Sequence, residues 1–437
     1  MNKNSQTIRV AAADLNGVLR GKRVPASYIQ KLDKGAVRLP FSVLNVDILG
    51  ADIADSPLVF ETGDADGILL PTGRGPVPMP WLDTDSQLHP MALHHDCGKP
   101  FTGDARHVLD HVIKGYAKHG WQVVAATELE FYLVDDSGKT LAPAKSPRTG
   151  KPMRNADILS LDTLDAFDGF FTELYEASAA MGIPAQAAIS EGGAGQFEIN
   201  LNHGPAMKAA DDAWLFKTLV RGLARKHGMA ATFMAKPFTK DSGNGMHVHF
   251  SVLDGDGKNI FDDGGPNGTP VLHHAIAGCL EAMADSALIF APHANSYARM
   301  TPGAHAPTGI CWAHENRTAA IRIPGGEPVA RRIEHRVAGG DVNPYLMLAI
   351  VLGAALIGIE DGHMPPPAIT GNAYDQNLPQ LPTSWAKAID MFGTSDIIRR
   401  ILPDTTIRNL VLTKKQELEH ISKLDWNKQT SIYLESV

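Results

Sequence analysis

Ser242 to Val252 reads Ser-Gly-Asn-Gly-Met-His-Val-His-Phe-Ser-Val, a stretch whose residue types and spacing can hold a ligand. Gly243, Asn244 and Gly245 predict a tight turn with positive φ that runs into a strand. Along that strand His247, His249 and Ser251 share one face and Met246, Val248 and Phe250 the other. Imidazole is the commonest metal ligand, so the polar face is a candidate site; a half-buried strand with a polar outer face is the plain alternative. The acidic residues add to it. Glu128 and Glu130, in Thr-Glu-Leu-Glu-Phe-Tyr, stand two apart on a predicted strand, which turns both carboxylates to one side. Glu191 and Glu198 bracket a glycine-rich loop that can fold back and bring two more together, and Glu334 follows later. With His247 these make six oxygen and nitrogen ligands, a set suited to two or three hard divalent cations, Mg²⁺ or Mn²⁺, holding phosphate oxygens. Taken alone, Glu-x-Glu also describes a solvated strand face.

The basic counterpart is Arg299, Arg317, Arg322, Arg331, Arg332 and Arg336, with no lysine between residues 299 and 336. The guanidinium fork matches carboxylate and phosphate in two places at once, so the bias toward arginine points to anion recognition. Ion pairs with Glu315, Glu327 and Glu334 are the structural alternative. Cations and arginines together describe phosphoryl transfer, where positioning and charge neutralisation supply most of the catalysis. Neither a Walker loop nor a kinase glycine loop is present.

These residues need a large scaffold to position them. The chain has 437 residues, 44% of them apolar and 20% charged, which are globular values and leave room for two or three lobes. A net charge of −8 argues against nucleic acid as a partner. Cys97, Cys279 and Cys311 are widely spaced and fit no metal pattern, which implies a reducing compartment. No signal peptide is apparent, and the most apolar run, Tyr345 to Ile359, is too short to span a bilayer and contains Gly353 and Gly358. A cytoplasmic protein with no membrane contact is expected.

Up to about residue 95, short strands are predicted at Arg9 to Asp14, Val18 to Val24, Phe41 to Leu49 and Gly67 to Leu70, as a small α+β unit. Pro71 to Pro80 and His89-Pro90 read as extended connectors. Alternating helices and strands follow. Helices are predicted from a cap at Asp104 to Gly120, over Asp162 to Met181, Met207 to His227, 271 to 288, 344 to 361 and 406 to 424. Strands are predicted at 121 to 126, 129 to 134, 185 to 189, 197 to 201, 230 to 235 and 246 to 253.

Several segments together resemble the glutamine synthetase superfamily: Asp14-Leu-Asn-Gly-Val-Leu-Arg-Gly-Lys-Arg-Val-Pro25, Glu128-Leu-Glu-Phe131, Glu191 to Glu198, Asn244-Gly-Met-His-Val-His249, Asn316-Arg-Thr-Ala-Ala-Ile-Arg-Ile-Pro324, Arg331-Arg-Ile-Glu-His-Arg336 and Asn343-Pro-Tyr345. They fall in the family's order and span nearly the whole chain. The resemblance implies an α+β protein with an N-terminal β-grasp domain (1–98) and a glutamine-synthetase-type catalytic domain (99–437). It also implies a homo-oligomeric ring, commonly a dodecamer, in which each site is completed by the neighbour's N-terminal domain. Carried over by position, Glu130, Glu191 and Glu198 hold the cation on the glutamate side, and Glu128, His247 and Glu334 the cation on the ATP phosphates. Gly243, Arg299 and Arg336 bind L-glutamate, Arg317 and Arg322 meet the transferred phosphoryl group, and His249, Ser251 and Arg332 lie on the nucleotide side. The implied reaction uses ATP to phosphorylate the γ-carboxylate, after which a nitrogen nucleophile displaces phosphate.

The chain also departs from glutamine synthetase proper. Its flap segment reads Arg299-Met-Thr-Pro-Gly-Ala-His305-Ala-Pro307, with His305 where that enzyme has a glutamate. The Asp-Gly-Ser-Ser ammonium segment is missing, leaving Asp47 as the candidate replacement. Ser242 stands where an asparagine is usual, and Gln376-Asn-Leu-Pro379 lacks the regulatory tyrosine. These departures resemble the γ-glutamylamine branch, including γ-glutamylpolyamine and γ-glutamylmethylamide synthetases. The expected substrate is therefore a small primary amine such as methylamine or a diamine, with His305 as proton acceptor. Glutamine synthetase acting on ammonium, and an inactive member kept for structural or binding duty, are the alternatives.

Overall fold

A computed structural model of the chain describes residues 7–154, 157–301 and 306–437. His305 lies outside the described residues. Six strands from the N-terminal part form one sheet, in the order Leu19–Pro25, Thr7–Ala13, Gln87–His94, Asp66–Pro71, Val37–Pro40, with Val77–Pro78 paired to Gln87–His94. The alternation along Thr7–Ala13 divides two cores. Ile8, Val10 and Ala12 join a small cluster with Leu39, Phe41, Leu69 and Leu93, while Ala11 and Ala13 face the main core of the rest of the chain.

Two expectations fail in this region. His89-Pro90 is not a connector but the middle of the central strand Gln87–His94. Pro90 falls where pairing with Thr7–Ala13 ends and pairing with Asp66–Pro71 begins, a place where a missing N–H is tolerated. Phe41 to Leu49 is not a strand: Phe41–Asn45 is a 3₁₀ turn that leads into a loop. Phe41, Leu44, Val46 and Ile48 are buried there; the spacing of three from Phe41 to Leu44 fits the turn, and the alternation that suggests a strand begins only after it.

The second sheet has nine strands, ordered Trp312–His314, Ile321–Ile323, Ile333–His335, Met246–Leu253, Gln122–Asp135, Gln196–Pro205, Ala185–Ser190, with Ala230–Thr232 and Ala142–Pro143 also on the long strand. The two strands expected at 121 to 126 and 129 to 134 are one, because Leu129 continues the buried series Val123, Ala125 without a break. Helices Ala105–Lys118, Asp168–Met181 and Ala206–Lys226 back the sheet, and Pro344–Asp361 packs on the first and third of these. Asp104 caps the first through the Arg106 N–H. The helix expected over Asp162 to Met181 breaks at Phe167, giving Leu161–Ala166 and Asp168–Met181.

Pro344–Asp361 is the one helix among the described residues long and apolar enough to cross a membrane, and 83% of that window is buried inside the protein. It packs against Pro270–Ala282 through glycines. A Cβ on Gly278 would lie 2.1 Å from the Ala354 carbonyl, and one on Gly358 2.2 Å from that of His274. Trp385–Thr394, Asp396–Ile401 and Trp426–Ser436 are further helices that the sequence reading passed over, although Ser384, Ser395 and Asp425 each stand as N-caps before them.

Candidate active site

Register across the second sheet builds the site. Glu130 pairs with Glu198, Glu128 with both Asn200 and His247, His249 with Glu334, and Glu334 with Arg322. Residues opposite one another in an antiparallel ladder share a face, so five strands present Glu128, Glu130, Glu198, Asn200, His247, His249, Arg322 and Glu334 on one side. The other side carries Leu129, Phe131, Met246, Val248 and Phe250 into the core, each at most 1% exposed. That apolar side fixes the register, since a slip of one residue would bury the carboxylates.

Within this face the ligand atoms of Glu128, His247 and Glu334 lie within 4.8 Å of one another, and so do those of Glu130, Glu198 and His247. The first set is the one expected on the phosphate side. In the second, His247 stands where Glu191 was expected, because the strand Ala185–Ser190 ends one residue before Glu191 and leaves it at the rim. Its charge still couples to Glu130, Glu128 and Glu198.

Electrostatics separates the carboxylates. Burial opposes ionisation of Glu128, but Nδ1 of His247 at 3.1 Å and Nε2 of His249 at 2.9 Å outweigh it and hold its carboxyl below the usual range. Burial also opposes ionisation of Glu334, which Arg336, the two histidines and Arg322 overcome, the last at 3.1 Å. The partners of Glu191 and Glu198, Arg317 and Asn200, do not offset their burial and crowding. Burial first, and the charge of Glu130 next, raise Glu191 to about 7. Burial first, and then Glu128, Glu130 and Glu191, raise Glu198 to about 9. Carboxylates crowded to this degree fit a divalent cation, whose charge removes both their repulsion and their need for protons.

The glycines serve close approach rather than the positive φ that was expected of Gly243 and Gly245, neither of which is left-handed. A Cβ on Gly243 would lie 2.8 Å from Arg299 Cγ, and one on Gly245 2.8 Å from the Arg299 guanidinium. Arg299 is thereby seated at the head of the sheet, 3% exposed, with NH1 donating to the Val337 carbonyl at 2.7 Å. The Gly245 N–H donates to Glu130 at 2.7 Å. Between Glu191 and Glu198, Gly193 leaves space for the Tyr132 hydroxyl, which donates to the Ser242 carbonyl at 2.7 Å.

The arginines divide by strand parity. Arg332 and Arg336 share the face of Glu334; Arg332 Nε lies 3.3 Å from His249 Nδ1, and Arg336 pairs with Glu334. Arg331 points the other way and holds the carbonyls of Gly265 and Pro266, a structural role but not one of the ion pairs weighed for it. Arg317 is exposed, and its charge acts on Glu191. Asp47 does not join the cluster within the chain. One of its oxygens accepts the N–H groups of Leu49 and Ala51 and the other the Gln416 amide at 3.0 Å.

Beside Glu128 a cavity of about 490 Å³ is lined by His249, Ser251 and Arg332, and also by Asn200, Asn202, Gln186 and Asn259. The sequence reading missed these amides. Period two from Glu198 leads to Asn200, which donates to Glu198 at 3.2 Å, but Gln186 and Asn259 come from separate elements with no local signal.

Comparison with known proteins identifies the family. Residues 102–431 match the family described as glutamine synthetase, catalytic domain. The chain is similar to gamma-glutamylputrescine synthetase PuuA of Escherichia coli (strain K12), 36% identical over 96% of this chain and 90% of that protein. It is also similar to glutamine synthetase of Thermus thermophilus, 32% identical over 95% of this chain and 92% of that protein. The solved structure of GmaS without ligand superposes with a TM-score of 0.84 at 26% identity, covering 98% of this chain and 97% of that one. With the acidic and arginine-bearing face assembled in the expected order and the match running through the catalytic domain, the chain belongs to the glutamine synthetase family and is an ATP-dependent carbon–nitrogen ligase.

Proposed function

We propose that the protein joins the γ-carboxylate of L-glutamate to a small primary amine through a γ-glutamyl phosphate. Glu130, Glu191 and Glu198 would hold one Mg²⁺ or Mn²⁺, and Glu128, His247 and Glu334 another. When bound, the cations neutralise the triphosphate and the transferring phosphoryl group. Arg299 and Arg336 hold glutamate, Arg317 and Arg322 face the phosphoryl group, and the cavity beside His249, Ser251 and Arg332 takes the nucleotide. A γ-carboxylate oxygen attacks the terminal phosphorus and ADP leaves. The amine nitrogen then attacks the acyl carbon, phosphate leaves, and a proton passes from nitrogen to a base, for which His305 is the candidate.

The observation that carries the choice of amine over ammonium is the loop around Asp47. Its carboxylate, 1% exposed, is engaged by its own loop and by Gln416, whereas Leu49 two residues on is 57% exposed. A loop of this kind offers an apolar side chain rather than a fixed negative charge. Ammonium gains from such a charge, but an alkylamine can recover binding through its carbons at roughly 0.8 kcal/mol per buried CH₂. Similarity to gamma-glutamylputrescine synthetase PuuA supports the same reading. kcat/KM for methylamine, ethanolamine or putrescine is expected to exceed that for ammonium by at least about tenfold, or about 1.4 kcal/mol. Steady-state assays across the four nucleophiles test it, and an ammonium value at or above every amine would return the protein to glutamine synthetase proper.

The loop reaches a site only in an assembly that sets one chain's N-terminal sheet against its neighbour's catalytic face. A ring, a dodecamer by resemblance, is therefore the proposed active form. Sedimentation should find activity only in species many times the 46.9 kDa chain mass; full activity at that mass would contradict the ring.

A further inference from the structure

Asp341 is a buried carboxylate for which the phosphoryl-transfer reading has no task. It is 1% exposed. One oxygen accepts the Ser296 hydroxyl at 2.5 Å, and among the described residues the other, Oδ1, has no hydrogen-bond donor. A buried carboxylate oxygen without a donor is costly unless a cation faces it. Lys217 and Arg299 both act on it. Lys217 donates to the carbonyls of Gly340 at 2.9 Å and Val342 at 3.1 Å, on either side of Asp341, and shares that carboxylate with Arg299. Among the described residues the Arg299 guanidinium has a single hydrogen bond, to Val337, and its charge is balanced by Glu130 and Asp341. Glu130 belongs to the candidate cation site, so a bound cation engages its charge. Asp341 is then the carboxylate that remains for Arg299.

The surrounding backbone is shaped to keep Asp341 in place. A Cβ on Gly339 would lie 2.4 Å from Asp341 Oδ1, so glycine there makes space for the carboxylate. The same loop donates from Gly339 to the Phe290 carbonyl and from Gly340 to that of Asn244, and its Ala338 carbonyl accepts the Met246 N–H. Ser296 lies on the 3₁₀ turn Ala294–Ala298, directly before Arg299. The Ser296 to Asp341 bond therefore ties the turn that carries Arg299 to the loop that fixes Asn244 to Met246, the start of the histidine strand.

We propose that Asp341 is a positioning residue for glutamate recognition: with Ser296 it aims the Arg299 guanidinium at a substrate carboxylate and supplies its counter-charge. The proposal rests on Arg299 being the glutamate-binding arginine. Steady-state kinetics of D341N, S296A and R299K test it, with glutamate and ATP varied separately. D341N keeps the shape and removes the charge; it should raise the KM for glutamate about tenfold, with kcat within about threefold of the parent and the KM for ATP unchanged. S296A removes only the hydroxyl and should raise the same KM by about threefold, which decides the matter if D341N does not fold. If R299K raises the glutamate KM while D341N and S296A leave it unchanged, or if these two alter both KM values equally, Asp341 has no positioning role. If R299K itself leaves the glutamate KM unchanged, the assignment of Arg299 fails and the proposal with it.

Discussion

The Glu191→Gln variant is expected to turn over at least about 100-fold more slowly than the parent while unfolding at the same temperature. Gln keeps the shape of the side chain but removes a charge at the rim of a site where Glu130 and Glu198 already crowd. Stability should not suffer, because the raised pKa marks Glu191 as a group the cation-free fold holds at a cost rather than one that supports it. The sign can be checked by titration. Without a cation, Glu198 at about 9 holds its proton at pH 7, and Glu191 at about 7 is half protonated. Cation binding at pH 7 must therefore release protons and tighten as pH rises toward 9. Calorimetry with Mn²⁺ in two buffers of different ionisation enthalpy measures that release, which should be smaller in Glu191→Gln. Turnover within about threefold of the parent, or activity indifferent to a chelator, would remove the cation assignment.

Arg322→Lys should lower kcat by about 10²-fold or more, with the KM for glutamate and for ATP little changed. Arg322 lies opposite Glu334 on the neighbouring strand, with NH1 3.1 Å from one carboxylate oxygen while Arg336 takes the other. This ion pair keeps the guanidinium on the face of the cluster, and its Nε, without a hydrogen-bond partner among the described residues, can meet charge that develops only as the phosphoryl group transfers. Lysine keeps the positive charge but loses the planar fork. A variant whose kcat is unchanged and whose KM for ATP rises would make Arg322 a nucleotide-binding group instead of one acting on the transition state.

What was legible in the sequence is what period and capping write locally. His247 and His249 could be placed on one face of a strand, with Met246, Val248 and Phe250 on the other, because alternation over eight residues has one physical solution when one side must be buried. The helix at 344 to 361 was bounded by Asn343 and Gly362, a side-chain cap and a left-handed stop. Arg331 could not be separated from Arg332 by type, but strand parity separates them: one pins a loop and the other reaches His249.

The sequence by itself determined the strand faces and the family, and named the candidate ligands. Only the tertiary structure decided how the carboxylates share a site. Pairing of five strands distant in the chain sets Glu130 against Glu198 and Glu128 against His247, and leaves Glu191 one residue beyond the end of its strand. It decided as well that Gly243 and Gly245 make room for Arg299 instead of turning the chain, that Asp47 faces inward, and that the Asp341 carboxylate accepts from Ser296, three residues before Arg299. The reason is common to all of these. Alternation fixes which way a side chain points relative to its neighbours, but which charges face one another depends on register between segments up to about 200 residues apart, and no local pattern carries that information.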